Sequence, residues 1–292
     1  MKVTFIGVGA IGLPMALQIK AAGHAVTGVD VSDAVSAHAT SQGIETVREF
    51  AEAPSAEAVV VMVATPDQLA MLVERVGAAA QGMLWIIMST VGPLSMREQG
   101  EALQRAGARV VDAPVTGGVA RAKTAELVIF AAGAPADVAL AKPLLEAMGT
   151  VRVTGERLGD GQSIKVVNQH LCSVHIAAAA EALNLARLLG LDPAVVLGLV
   201  QGGAAGSWML SDRGPRMVAG TEVEVTSTIS IFVKDSGLVV AAGESCGAQL
   251  PLLSIAHERF CSAAEKGLAA RDDSRVIETW FGPDLAAEIR TP

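Results

Sequence analysis

The sequence of 292 residues contains no tyrosine, and six phenylalanines and three tryptophans supply its aromatic side chains. The missing tyrosine excludes every oxidoreductase mechanism in which a tyrosine is the proton donor. Cysteine is also scarce: Cys172, Cys246 and Cys261 are odd in number, widely spaced and set in apolar sequence. Because they form no CxxC pair and accompany no histidine cluster, the sequence predicts free thiols in a reducing compartment and no metal site.

Positive charge is in the minority, with 22 lysines and arginines against 30 acids and a net charge of -8. This balance argues against nonspecific binding to nucleic acid or to an anionic membrane. A membrane span needs about 18 uninterrupted apolar residues, and polar or charged residues interrupt the nearest window, 176–200. We therefore expect a soluble, cytoplasmic, globular protein that binds anionic small molecules only at a local positive site.

The two halves of the chain differ in hydrophobic periodicity. Residues 1–160 alternate short apolar runs with Ala-rich helical stretches, which predicts a Rossmann-like, doubly wound α/β sheet that forms a dinucleotide-binding domain. Residues 161–292 lack strand signals and predict an all-α substrate and dimerisation domain, whose Ala-rich surfaces favour a homodimer or homotetramer. The predicted strands are 2–7, 25–31, 58–64, 84–89, 109–113 and 127–132, and the predicted helices of the second half include 163–190, 207–219, 231–246, 252–266 and 273–281.

A glycine-rich turn directly follows the first predicted strand. In GVGAIG, Gly7 permits a tight turn, Gly9 lets a pyrophosphate approach the backbone, and Gly12 lets the next helix pack on the strand. The amide groups of the helix start, including those of Ala10 and Ile11, then face the phosphates. A lone GxGxxG is weak evidence, but here an acid, Asp30, follows Gly12 by eighteen residues and ends the second predicted strand.

Asp30 also bears on the choice of dinucleotide. Its carboxylate is suited to the hydroxyl groups of the adenosine ribose, and Val31 and Ser32 follow it without an arginine for a 2′-phosphate. The sequence thus favours NAD, with NADP as the alternative. Thr65, Ser89 and Thr90 follow other predicted strands and are candidate contacts to the cofactor, although each could equally be an ordinary turn residue.

The segment GDGQSIKVVNQ, residues 159–169, places a lysine on the first turns of a long predicted helix. Lys165, Asn168 and Gln169 are three and four residues apart, so they share one edge of that helix. Beside an Ala-rich apolar run, such a lysine is either a catalytic base or a solvated helix start.

Four motifs in order, GVGAIGLPMA (7–16), DAPVTGG (112–118), GDGQSIKVVNQ (159–169) and IFVKDSGLV (231–239), resemble the β-hydroxyacid dehydrogenases. This family includes 3-hydroxyisobutyrate, tartronate semialdehyde and 6-phosphogluconate dehydrogenases, and the resemblance covers essentially the whole chain. Within it, residues 174–186, 207–210, 232–235 and 250–254 are most similar to the branch that oxidises L-threonate.

The resemblance implies specific roles. Lys165 matches the catalytic lysine that takes the proton from the substrate hydroxyl, a role that requires its pKa to fall by roughly 2–3 units. Lys234 matches a second cation near the nicotinamide and substrate, with Asp235 beside it. Thr116, Gly117 and Gly118 match the loop that binds the substrate anion. Asn168 and Gln169 occupy the place of substrate-binding amides.

Three departures from the family pattern leave the substrate open. The family commonly has serine at the position of Thr116 and asparagine at that of Gln169, and Gly206 stands where threonate-oxidising members tend to carry an amide. The implied activity is NAD-dependent hydride transfer on a small anionic hydroxy acid, with a reductase of an oxo acid or oxo-phosphonate as the alternative. Imine reduction, also found on this fold, usually accompanies loss of the lysine, and a non-catalytic dinucleotide sensor is the remaining reading.

Overall fold

A computed structural model describes residues 1–281 of the chain. The chain divides into two compact units, Met1–Lys165 and Val166–Pro292, with the division inside the seventh helix. The predicted domain boundary, 160/161, lies at the first turn of that helix. Residues 282–292, at the end of the predicted helical domain, lie outside the described residues.

Within the described residues, the first unit contains nine strands, the first six helices and the start of the seventh. The second unit contains the rest of the seventh helix and the helices that follow it. The strands are β1 (Lys2–Ile6), β2 (Ala25–Val29), β3 (Thr46–Val47), β4 (Ala58–Val61), β5 (Leu84–Ile87), β6 (Arg109–Asp112), β7 (Val115–Thr116), β8 (Leu127–Ala132) and β9 (Gly149–Gly155). The helices are α1 (Gly12–Ala21), α2 (Asp33–Ser41), α3 (Pro66–Val76), α4 (Pro93–Arg105), α5 (Gly118–Lys123), α6 (Pro135–Glu146), α7 (Asp160–Leu188), α8 (Pro193–Val200), α9 (Trp208–Val218), α10 (Ile229–Cys246) and α11 (Pro251–Ala263).

The strands form one sheet in the order β3-β2-β1-β4-β5-β6-β8-β7, and β9 pairs with β8. The ladders from β3 to β6 are parallel, which places their carboxyl ends along one edge. One apolar layer joins the sheet to α1 and α6, and a second joins its other face to α3 and α4. The predicted α/β doubly wound sheet followed by a helical domain is thereby confirmed.

The sheet differs from the sequence prediction at its far side. The strand β8 runs antiparallel to β6 and β7, and β9, which was not predicted, is parallel to β8. The sequence of β9, GTVRVTG, carries polar residues on a partly exposed strand, so it lacks the apolar run of a strand buried on both faces. The strands β3 and β7 have two residues each, too few to show any period.

The second unit packs its helices around an apolar core that includes Leu183, Phe232 and Phe260. The rings of Phe232 and Phe260 stack with their centroids 5.0 Å apart. The predicted helix 252–266 is α11 extended by a π-helical turn, Ala264–Leu268, and the predicted helix 273–281 is a 3₁₀ helix, Asp273–Trp280.

Among the described residues, α7 is the one helix whose length and composition would suffice to cross a membrane. In its most apolar 18-residue window, 44% of the residues are buried inside the protein. Core helices of soluble proteins meet the same criterion, so this indication is weak.

Candidate active site

The glycine-rich turn joins β1 to α1 with the backbone that its sequence predicts. Gly7 has a φ of 87°, and a Cβ atom there would lie 2.3 Å from the carbonyl oxygen of Met62. A Cβ atom at Gly12 would lie 1.9 Å from the Gly7 carbonyl oxygen, so α1 begins in direct contact with the turn. At Gly9 the same position has no neighbouring atom within 4 Å. Ala10 is exposed and Ile11 is the N-cap of α1, and the backbone N–H groups of a helix N-terminus are a common binding site for phosphate.

Asp30 follows β2 and contacts the glycine-rich turn itself. Its Oδ2 accepts a hydrogen bond from the backbone N–H of Val8 at 3.1 Å, and its Oδ1 accepts one from the N–H of Ser32 at 3.0 Å. The two contacts orient the carboxylate beside the turn, and the residue remains partly exposed. A partly exposed carboxylate in this position fits the ribose of a dinucleotide.

The three hydroxyl residues after β4 and β5 have different environments. Thr65 is the N-cap of α3, where its Oγ1 accepts a hydrogen bond from the N–H of Gln68 at 3.2 Å. Ser89 is fully buried, accepts a hydrogen bond from the N–H of Val63 at 2.7 Å and donates one to the carbonyl of Val61 at 3.3 Å. Its hydroxyl therefore fastens β5 to β4, whereas Thr90 is partly exposed. Their cofactor contacts stay predictions.

The predicted anion loop spans the end of β7 and the start of α5. Gly117 and Gly118 have φ values of 133° and 66°, in the region that residues with side chains rarely adopt. Thr116 is partly exposed and Gly118 is exposed, with no atom within 4 Å of an added Cβ. Two successive glycines with positive φ can turn their N–H groups toward an anion.

A buried acid that sequence reasoning missed, Asp112, supports the start of α7. Its Oδ2 accepts hydrogen bonds from the N–H groups of Gly159 and Gln162 at 3.0 and 3.1 Å, and its Oδ1 accepts one from Gln162 Nε2 at 3.1 Å. Burial raises the pKa of Asp112 to about 7, against the opposing effect of these hydrogen bonds. Asp112 and Gln162 belong to the motifs DAPVTGG and GDGQSIKVVNQ, but nothing in the spacing of the two motifs indicates that these side chains are in contact.

Lys165 lies one turn beyond Gln162 on α7 and is 6% exposed. This burial is unlike that of a solvated helix start, the alternative that the sequence left open. Catalytic lysines are commonly buried, because the proton affinity of a buried lysine responds to the surrounding protein.

In the second unit, Asp235 joins two of the predicted site residues. Its Oδ2 accepts a hydrogen bond from Gln169 Nε2 at 2.5 Å, and its Oδ1 lies 2.7 Å from Lys234 Nζ. Asn168 extends the chain, since its Nδ2 donates to Gln169 Oε1 at 2.8 Å. Asp235 is 5% exposed, so the ion pair is shielded from solvent on the carboxylate side and holds the Lys234 ammonium against α10.

Comparison with known proteins covers both units. A family model described as the NAD binding domain of 6-phosphogluconate dehydrogenase matches residues 2–159, and a model described as NAD-binding of NADP-dependent 3-hydroxyisobutyrate dehydrogenase matches residues 159–280. L-threonate dehydrogenase of Cupriavidus necator is 34% identical over 286 residues, which cover 96% of this chain and 96% of that protein.

Two further relatives share this full-length match. The 2-hydroxy-3-oxopropionate reductase of Escherichia coli K12 is 31% identical over 287 residues, which cover 95% of this chain and 96% of that protein. The crystal structure of 3-hydroxyisobutyrate dehydrogenase from Salmonella typhimurium superposes with a TM-score of 0.87 at 31% identity, over 96% of this chain and 100% of that one.

Proposed function

The chain belongs to the β-hydroxyacid dehydrogenase family, as an NAD(P)-dependent hydroxyacid dehydrogenase, and we propose that it transfers a hydride between NAD and L-threonate or a similar short sugar acid. The observation that carries this proposal is the buried Lys165 at the start of α7 in a chain whose full length matches hydroxyacid dehydrogenases. When bound, the nicotinamide accepts the hydride during oxidation and donates it during reduction.

Lys165 is the proposed general base. In its neutral form, Nζ takes the proton from the substrate hydroxyl as the hydride leaves the carbon that carries this hydroxyl. In reduction, the ammonium form gives a proton to the carbonyl oxygen. General acid–base catalysis by a positioned side chain contributes about 10²- to 10⁴-fold to a rate.

Thr116, Gly117 and Gly118 form the proposed binding loop for the substrate anion. The positive φ values of both glycines support convergent N–H donors, and the Thr116 hydroxyl adds another donor. Lys234 is the proposed second cation, oriented by its ion pair with Asp235. Asn168 and Gln169 are the proposed amide groups of the substrate site. In an acidic chain, these groups would supply the local positive potential that an anionic substrate needs.

NAD is the proposed cofactor, with NADP as the alternative. The open space at Gly9 and the N-terminus of α1 suit a pyrophosphate. The carboxylate of Asp30 suits the ribose hydroxyls and repels a 2′-phosphate. Thr65, Ser89 and Thr90 remain proposed contacts at the carboxyl ends of β4 and β5.

A second candidate is the reduction of a small oxo acid. The full-length similarity to 2-hydroxy-3-oxopropionate reductase favours it, and the same lysine would act as the acid in that direction. An oxo-phosphonate is a further candidate, because an N–H loop accepts either anion. We also propose that the protein is cytoplasmic and acts as a homodimer or homotetramer.

The replacement Lys165→Met tests the proposed mechanism. It keeps the length of the side chain but removes the group that binds the proton, so we expect kcat to fall by about 10²- to 10⁴-fold. The measurement is NADH formation with L-threonate and 3-hydroxyisobutyrate, and NADH consumption with 2-hydroxy-3-oxopropionate and a matched oxo-phosphonate.

Lys142→Met is the matched control, because Lys142 is an exposed lysine of α6 that pairs with Glu146 at 3.6 Å. It should keep the wild-type kcat. Full activity of Lys165→Met would refute the acid–base role. Turnover of the phosphonate but of none of the carboxylates would refute the proposed substrate class.

A further inference from the structure

Gln162, in the first turn of α7, is a buried amide whose hydrogen-bonding positions are all occupied. Its Oε1 accepts from the N–H groups of Val91 and Gly92 at 3.0 and 3.1 Å, and its Nε2 donates to the carbonyl of Ser89 at 2.9 Å and to Asp112 at 3.1 Å. A carboxamide has two acceptor lone pairs and two donor hydrogens. The position and orientation of this side chain are therefore determined from both ends.

The backbone at the start of α7 also packs closely against the sheet. A Cβ atom at Gly161 would lie 2.4 Å from the carbonyl oxygen of Phe130 in β8 and 3.0 Å from Oδ2 of Asp112. The helix backbone thus contacts the sheet directly at this point. Together with the three hydrogen bonds accepted by Asp112, this contact holds the first turn of α7 against β6 and β8.

These contacts connect two groups that must be close during hydride transfer. The loop 89–92 contains Ser89 and Thr90, two of the proposed contacts to the cofactor. Lys165 lies three residues after Gln162, on the same side of α7. A shift of the Gln162 side chain would therefore change the distance between the loop and the Lys165 turn.

We propose that Asp112 and Gln162 are positioning residues that hold the loop 89–92 and the Lys165 turn of α7 at a fixed separation, as hydride and proton transfer require. The inference rests on the proposed function of Lys165. Neither residue touches the reacting atoms; both act through the groups that they hold. Misplacement by about 1 Å, even from a distant change, costs as much as 10²-fold in rate.

The test is Gln162→Glu in the full-length protein. Glutamate keeps the acceptor for Val91 and Gly92 but has no N–H to donate to Ser89 and faces the carboxyl group of Asp112. We expect kcat to fall by about 10- to 100-fold. The KM for NAD should stay within about threefold, since the glycine-rich turn and Asp30 are unchanged. With substrate deuterated at the reacting carbon, the isotope effect on kcat should be at least as large as in the wild type, because a slower hydride transfer determines more of kcat.

Leu144→Ala is the control for a structural effect, because Leu144 is a fully buried residue of α6 outside this cluster. It should lower Tm while kcat and the isotope effect stay at the wild-type values. Asp112→Asn is the second positioning variant, and it tests the same inference if Gln162→Glu does not fold. It should reproduce the fall in kcat, because an amide in place of the carboxylate cannot accept all three hydrogen bonds.

Wild-type kcat in Gln162→Glu, with Lys165→Met inactive, would overturn the positioning role alone. If Leu144→Ala lowered kcat equally at a similar loss of Tm, the positioning role would also be overturned, because the fall in kcat would then follow from lower stability alone. Full activity of Lys165→Met would instead overturn the proposed function together with the inference that rests on it.

Discussion

At the scale of single residues, Gln169 connects two helices of the second unit. Its amide group on α7 donates a hydrogen bond to the buried carboxylate of Asp235 on α10. Asp235 in turn pairs with Lys234. Asp235 therefore links the Gln169 amide on α7 to Lys234, the proposed second cation on α10.

Asp30 is the residue on which cofactor preference should depend. Removing its carboxylate in Asp30→Ala should raise KM for NAD by about tenfold, which corresponds to about 1.4 kcal/mol of lost interaction. KM for NADP should rise less, because the mutant no longer repels the 2′-phosphate. Steady-state kinetics with both cofactors measure this change.

Two variants refine the cofactor test. Asp30→Asn keeps an acceptor for the N–H of Val8 and separates the effect of charge from that of the turn. Asp137→Asn, an acid at the start of α6, is the control and should leave the ratio of the two KM values unchanged. An unaltered ratio in Asp30→Ala would contradict the role given to this carboxylate.

At the scale of elements, the start of α7 is a helix end that the sheet supports. The first amide groups of any helix lack partners within it, and here the carboxylate of Asp112 accepts from two of the N–H groups at this end. The helix dipole favours a negative charge in that place. The same support determines where the Lys165 turn stands over the sheet.

Gly161→Ala should displace this end of α7. Because the added methyl group would lie 2.4 Å from a backbone oxygen, the helix must move, and we expect Tm and kcat both to decrease, kcat by about tenfold or more. Gly198→Ala is the matched control in α8, where an added Cβ has no atom within 4 Å. It should stabilise the protein by about 0.5–1 kcal/mol. Thermal unfolding and steady-state kinetics of both variants measure these changes. Wild-type Tm and kcat in Gly161→Ala would contradict the close contact between the start of α7 and β8.

At the scale of the whole molecule, the two units are stabilised by different means. The first unit buries apolar layers on both faces of its sheet. The second adds a largely buried ionic network at the start of the 3₁₀ helix. Arg213 of α9 pairs with Asp273, the first residue of that helix, and Arg216 pairs with Asp272, its N-cap. These pairs attach the 3₁₀ segment to the helical core.

Asp272 should make the free energy of unfolding depend on pH in the acidic range. Burial raises its pKa, but hydrogen bonds from Ser274 and Thr226 and the nearby Arg216 outweigh burial and hold the pKa at about 2. Since this is below its value in the unfolded chain, the stabilisation is present above about pH 4 and is lost as the pH falls through about 2.

The replacement Asp272→Ala should therefore lower the free energy of unfolding at pH 7 by about 2–3 kcal/mol, which corresponds to the lowered pKa of this carboxyl group. Arg216 loses one carboxylate partner in this variant and keeps Asp212 and Asp273. Urea unfolding monitored by circular dichroism should show the difference from wild type shrinking between pH 4 and pH 2. Asp33→Ala, which breaks the exposed pair with Arg48, is the control and should cost less than about 1 kcal/mol. A difference that does not change with pH would contradict the lowered pKa.

Much of the fold could be predicted because its signals are local. Apolar runs predicted six of the strands, β1, β2, β4, β5, β6 and β8, but not that β8 is antiparallel to β6. The GVGAIG turn predicted the β1–α1 junction down to the close approach at Gly12. The strand β9 was missed because its partly exposed sequence carries no apolar run, and the 3₁₀ form of residues 273–280 was missed because its apolar spacing resembles that of an α-helix.

The sequence by itself determined the two halves of this protein, its family and the candidate lysine, since periodicity and motif spacing are properties of neighbouring residues. Only the tertiary structure decided that Asp112 and Gln162, 50 positions apart, hold the Lys165 turn, and that Gln169 and Asp235, 66 positions apart, orient Lys234. A hydrogen bond depends on distances of about 3 Å and on direction, and strand order and helix packing alone bring such distant residues to that range.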